Sequence, residues 1–146
     1  MTRARQMTFV LAVSIGTAVG AQTPQADELR KIEGGWIVVA AEQRGKPFEV
    51  IRGGGLVIEG TAFSLKTAAG NEFKGQIRID PTKSPKQLDF VHDKDGLVWE
   101  AIYTVSDEAL RLNYVEAGGA DKRPTLFATS TDTAGTVIVM NRMTTR

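Results

Sequence analysis

The sequence predicts an all-β fold, an antiparallel up-and-down β-barrel entered through one short helical turn. Three observations predict it. Apolar residues recur at every second position from Trp36 onward, turn-forming dipeptides separate these runs at short intervals, and no helix-length amphipathic segment follows Gly34.

The first element is a leader. Arg3 and Arg5 precede an apolar stretch from Met7 to Val19, and Val19-Gly20-Ala21 offers the small side chains that a signal peptidase reads. Residues 1–21 are therefore expected to be a signal peptide cut after Ala21, with the product exported to the periplasm or the cell exterior. The stretch is shorter than the roughly 20 residues that cross a bilayer, so no stable membrane insertion is expected after cleavage. A lipid anchor is excluded as well, because the chain has no cysteine. Residues 22–33 form a tail and a helical turn, in which Asp27 is a plausible N-cap and Leu29 and Ile32 share one face. Gly34-Gly35 ends it, and residues 34–146 form one barrel domain.

In a strand, a period of two places alternate side chains on one face. The clearest run is Glu72-Phe73-Lys74-Gly75-Gln76-Ile77-Arg78-Ile79-Asp80, with Phe73, Gly75, Ile77 and Ile79 inward. Leu97, Trp99, Ala101, Tyr103 and Val105 repeat it, and Leu110, Leu112 and Tyr114 continue it. Shorter strands are expected at Trp36 to Gln43, Phe48 to Ile51, Leu56 to Glu59, Phe63 to Thr67, Gln87 to His92, Thr125 to Ala128 and Val137 to Arg142. Arg44-Gly45, Glu59-Gly60, Gly70-Asn71, Asp95-Gly96 and Ser106-Asp107 supply the reversals. Asp80 to Lys86 and Glu116 to Pro124 are longer loops at the rim. So many strands form either a sandwich or a barrel, and the barrel is preferred because closure removes exposed edges.

Composition narrows the chemistry. The absence of cysteine excludes disulfides, thiol catalysis and thiolate metal sites. Net charge is +1, and Lys and Arg are interspersed with Asp and Glu, so no footprint for nucleic acid or an anionic membrane is present.

Gly34-Gly35-Trp36, at the start of the first strand, resembles the glycine, any residue, tryptophan motif of lipocalins. Further along stand Ile79-Asp80-Pro81-Thr82-Lys83-Ser84-Pro85-Lys86, Ile102-Tyr103 ahead of Ala109-Leu110-Arg111-Leu112, and Arg123-Pro124-Thr125-Leu126-Phe127. In this order they look like the exported lipocalin-like domain of unknown function common in planctomycete-type bacteria, over about Leu29 to Arg142. The resemblance implies a lipocalin-like, calycin-type barrel without assigned catalytic residues. It also implies an arginine packed over Trp36, for which Arg142 is the well-placed candidate and Arg146 or a solvated arginine the alternative. The terminal disulfide common in lipocalins is impossible here.

No catalytic residue, metal or cofactor is expected. His92 is the only histidine, in His92-Asp93-Lys94-Asp95-Gly96. Two neighbouring carboxylates would suit acid or base work, but the preferred reading is a hairpin tip with the imidazole facing water. Asp93, Asp95 and Gly96 mimic only part of a calcium loop, and one histidine cannot hold zinc. Ser64, Ser84, Ser106 and Ser130 lack a nucleophile elbow, and Gly53-Gly54-Gly55 reads as a turn or bulge, with no helix after it to hold a phosphate. The inward aromatics Phe63, Phe73, Phe90, Trp99, Tyr103 and Tyr114 either fill the core or border a small space. The expected function is noncatalytic binding of a small apolar or amphipathic molecule, with Phe73, Ile77, Trp99, Tyr103 and Leu112 lining the interior. The alternative is a protein-interaction module or hydrolase inhibitor acting through the tail and the loops Pro81 to Lys86 and Gly118 to Pro124.

Overall fold

The computed structural model describes residues 23–144. The expected signal peptide, the Gln22 end of the tail and Arg146 lie outside the described residues. Helix α1 (Pro24–Ile32) is followed by β1 (Gly34–Gln43), β2 (Lys46–Pro47), a 3-10 turn (Glu49–Ile51), β3 (Gly55–Glu59), β4 (Ala62–Lys66) and β5 (Glu72–Asp80). Then come β6 (Lys86–His92), β7 (Val98–Val105), β8 (Ala109–Glu116) and β9 (Thr136–Arg142). Each strand pairs antiparallel with its neighbour in the order β2-β1-β3-β4-β5-β6-β7-β8-β9, and β1 also pairs with β9, closing an eight-stranded barrel with β2 as a short flap. This is the predicted all-β, up-and-down, lipocalin-like architecture.

The alternation read from the sequence places the core. Leu56, Ile58, Phe63, Ile77, Ile79, Leu88, Phe90, Tyr103, Leu110 and Leu112 point inward and are buried. The turns form where expected, with Arg44 and Gly45 both at positive φ (52° and 72°), the geometry of a two-residue hairpin loop. A β-bulge between Val38 and Ala40 bends β1.

Helix α1 plugs one end of the barrel. Its N-cap is Thr23, whose hydroxyl accepts from Ala26 N at 3.1 Å, and Pro24 occupies the first turn. Asp27, expected as the cap, instead lies within the first turn and pairs with Arg30. Leu29 and Ile32 do face the core together, and Ile32 is fully buried. At the same end Trp36 is fully buried, and its indole Nε1 donates to Ile32 O at 2.8 Å. The Arg142 guanidinium carbon lies 4.1 Å from the Trp36 ring centroid. Arg142 also donates to Lys31 O and Glu33 O at 2.7 Å and to Asp107 O at 2.6 Å. The resemblance implied this arrangement, and it joins the helix C-terminus, both closing strands and the β7-β8 turn. Gly34 completes the motif: its φ is +118°, and a Cβ there would stand 2.9 Å from Arg142 Nη1.

Among the described residues one carboxylate, Glu28, is buried in the plug. Glu28 receives Lys86 Nζ at 2.6 Å, Lys31 Nζ at 3.4 Å and the Tyr103 hydroxyl at 3.4 Å. Burial alone would raise its pKa, but the Lys86 and Lys31 ammoniums outweigh burial and hold it below the ordinary 4.5. A depressed carboxylate pKa contributes stability above the unfolded-state value and loses it as pH falls through the folded-state value. Chemical denaturation from pH 7 into the acid range should therefore show Glu28→Gln less stable than the parent by roughly 1 kcal/mol at neutral pH, since Lys86 is partly solvated. The gap should close below the folded-state pKa.

Two expected strands do not form. Phe48 to Ile51 runs through the 3-10 turn, where a period of three puts Phe48 and Ile51 on one side. Thr125 to Ala128 stays irregular and lies over the outer face of β8. Asn113 Nδ2 donates to Leu126 O at 2.7 Å and Ala128 O at 3.3 Å, and Arg111 donates to Phe127 O at 2.9 Å while covering its ring. Both edges of β8 are already taken by β7 and β9, so those side chains supply the donors that a ladder would otherwise supply.

Candidate functional site

The end of the barrel opposite α1 holds a cavity of about 290 Å³. Four adjacent strands, β5 to β8, give it an aromatic wall of Phe73, Phe90, Trp99 and Tyr114. The facing wall, from β1, β3 and β9, is aliphatic: Val38, Leu56, Ile138 and Met140. Leu112 and Leu65 fill the seams, while Phe48 and Ile51 border it from the 3-10 turn.

The aromatic wall is one connected cluster. Trp99 stands at its centre, with ring centroids 5.6 Å from Phe73, 6.3 Å from Phe90 and 5.1 Å from Tyr114. The Tyr114 ring is tilted only 31° from the indole, whereas Phe90 meets it edge-on. Burial pushes the Tyr114 hydroxyl pKa upward, so the phenol stays neutral. Polar residues border the cavity at Gln43 and Tyr114 and, at the end of β4, at Lys66 and Thr67. Gln43 borders the cavity beside Tyr114, and its Nε2 donates to Thr136 Oγ1 at 2.9 Å.

Of the residues expected to line a ligand space, Phe73, Trp99 and Leu112 border this cavity. Ile77 and Tyr103 do not. They face inward as read, but Ile77 lies packed in the core opposite Phe90 at 2% exposure, and Tyr103 lies at the plugged end, fully buried against Glu28. Burial and the Glu28 carboxylate drive the Tyr103 hydroxyl pKa far upward, so it acts as a donor in the plug. Gly34, Trp36 and Arg142 also belong to the plugged end. The sequence reading missed Phe48 and Ile51 as cavity residues, and the signal that would have found them is their spacing of three.

His92 is a further correction. Instead of facing water at a hairpin tip, it is 6% exposed and continues the inward series Leu88, Phe90, His92 of β6. Its ring lies 4.2 Å from Trp99, 5.6 Å from Phe63 and 5.7 Å from Phe73, centroid to centroid. Among the described residues its Nε2 has no hydrogen-bond partner. Removing an unsatisfied buried polar group while keeping a ring is close to neutral or stabilising. His92→Phe should therefore leave the denaturation midpoint unchanged or raise stability by up to about 1 kcal/mol. A loss of stability would show instead that Nε2 is satisfied in solution.

Opposite His92, β5 carries Gly75. A Cβ there would stand 1.9 Å from Val91 O and 2.9 Å from Phe63 Cε1, so the strand approaches its neighbour more closely than any side chain permits. That close approach lets Phe63 and His92 pack behind the aromatic wall.

Compared with protein-family models, with curated proteins and with solved structures, the chain gives no match in any of the three.

Proposed function

We propose that this chain is an exported, noncatalytic barrel that binds a small apolar or amphipathic molecule through its open end. The observation that carries this reading is the asymmetry of the interior. One end is plugged by α1 and packed solid around Trp36 and Tyr103, while the other keeps a cavity with aromatic and aliphatic walls. Ligand sites are concave, mostly apolar and oriented by a few polar groups, and here Gln43 and Tyr114 are those groups. At about 290 Å³ the cavity stands at the small end of the ~300–1,000 Å³ range of such sites, which limits the ligand to a compact molecule. Export rests on residues 1–21 and the cleavage pattern at Ala21.

Native mass spectrometry of protein purified gently from an exporting host, before and after organic extraction, tests both parts. A polypeptide beginning at Gln22 with an extractable adduct is expected. A retained leader overturns export. Protein that stays free of adducts and takes up no apolar compound from solution overturns binding.

A further inference from the structure

Resting on that binding reading, we infer that the molecule this cavity takes is uncharged and carries a flat ring, with one hydrogen-bonding group at its outer end. The ring follows from the division of the walls. Four neighbouring strands each present an aromatic side chain to the same space, whereas the opposite strands present aliphatic ones and Gln43, with Phe48 at the border before the 3-10 turn. Tyr114 stacks against the indole of Trp99 with centroids 5.1 Å apart and a tilt of 31°, while Phe73 and Phe90 stand at angles of 57° and 65° to the indole, so the wall is aromatic throughout. A flat ring inserted between the walls meets the aromatic cluster on one side and Val38, Ile138 and Met140 on the other. An alkyl chain gains the same apolar area without the aromatic contact.

Neutrality follows from where the charges are. The inward positions around the space are apolar or uncharged: Phe73, Phe90, Trp99, Leu112, Tyr114 and Gln43. Among the described residues Lys66 is the one charged residue at the rim, and the alternation of β4 turns its side chain outward, in register with Glu72, which itself pairs with Lys74 at 3.2 Å. A carboxylate or ammonium entering the cavity would lose its water without gaining a counter-ion. A neutral hydroxyl or carbonyl loses less, and the Gln43 amide and the Tyr114 phenol stand on the side where it would emerge.

Isothermal titration of the exported protein at pH 7 with 2-naphthol, 2-naphthoate, 1-decanol and decanoate separates these claims. We expect 2-naphthol to bind at least about tenfold more tightly than 2-naphthoate, and more tightly than 1-decanol. Trp99→Leu should weaken 2-naphthol about tenfold and change 1-decanol by less than about twofold, the retained decanol binding showing that the variant is folded. Equal or tighter binding of either carboxylate overturns neutrality. If 1-decanol matches 2-naphthol, or Trp99→Leu weakens both alike, the ring preference falls and the binding site stands. Failure of all these compounds to bind overturns the binding reading itself, and the inference with it.

Discussion

Trp36→Ala is expected to lower folding stability by about 3–5 kcal/mol, a large share of the ~5–15 kcal/mol that holds a typical domain folded. The indole is fully buried where β1, β9 and α1 meet, so truncation removes its packing and leaves a cavity at the plugged end. Ile32 O loses the 2.8 Å hydrogen bond from Nε1, and Arg142 loses the ring beneath it. Arg142→Met gives a comparison at the same place. It keeps an apolar chain over the indole but deletes the donors to Lys31 O, Glu33 O and Asp107 O, and about 2 kcal/mol is expected. Urea denaturation followed by circular dichroism measures both. The double variant should cost less than the sum of the two, because the residues share one contact.

Gly75→Ala is the second large effect. Overpacking a core costs about 1–3 kcal/mol when side chains can adjust. Here the nearest atom is the Val91 backbone oxygen, 1.9 Å from the added Cβ, so relief requires β5 and β6 to separate. A loss at or above the top of that range is expected. The displaced rings would be Phe63 and His92, which pack behind Trp99, so the variant should also change the near-ultraviolet circular dichroism of the aromatic cluster. An alanine variant with the parent's denaturation midpoint would show that this close approach is absent in solution.

Period-two alternation carried most of the fold, because a half-buried strand must show it whatever it pairs with. The inner faces of β5, β7 and β8 were therefore legible, as was the antiparallel order implied by short turns. Alternation gives the face but not the height. Phe73 and Ile77 share the inner side of β5, yet four residues separate them by roughly 13 Å along the strand. One consequently borders the cavity while the other is packed in the core below it, and Tyr103 was misplaced for the same reason. His92 failed differently. Its place in the series Leu88, Phe90, His92 pointed inward, but the charged run after it suggested a wet tip, and the position in the strand prevailed over the neighbours. The run from Thr125 to Ala128 has strand-like composition, yet a closed barrel has no edge left to receive it.

Closure of β1 on β9 has a consequence in time. The ladder that joins Trp36 to Arg142 unites the first and last strands of the domain, so the barrel cannot shut until almost the whole polypeptide exists. At synthesis rates of roughly 5–20 residues per second, several seconds pass between the emergence of the two strands. During that interval β1 has only its local neighbours to pair with, and the most distant contacts in sequence are the last to be made. A nascent chain of this kind keeps the partners of this ladder apart until its final strand is released.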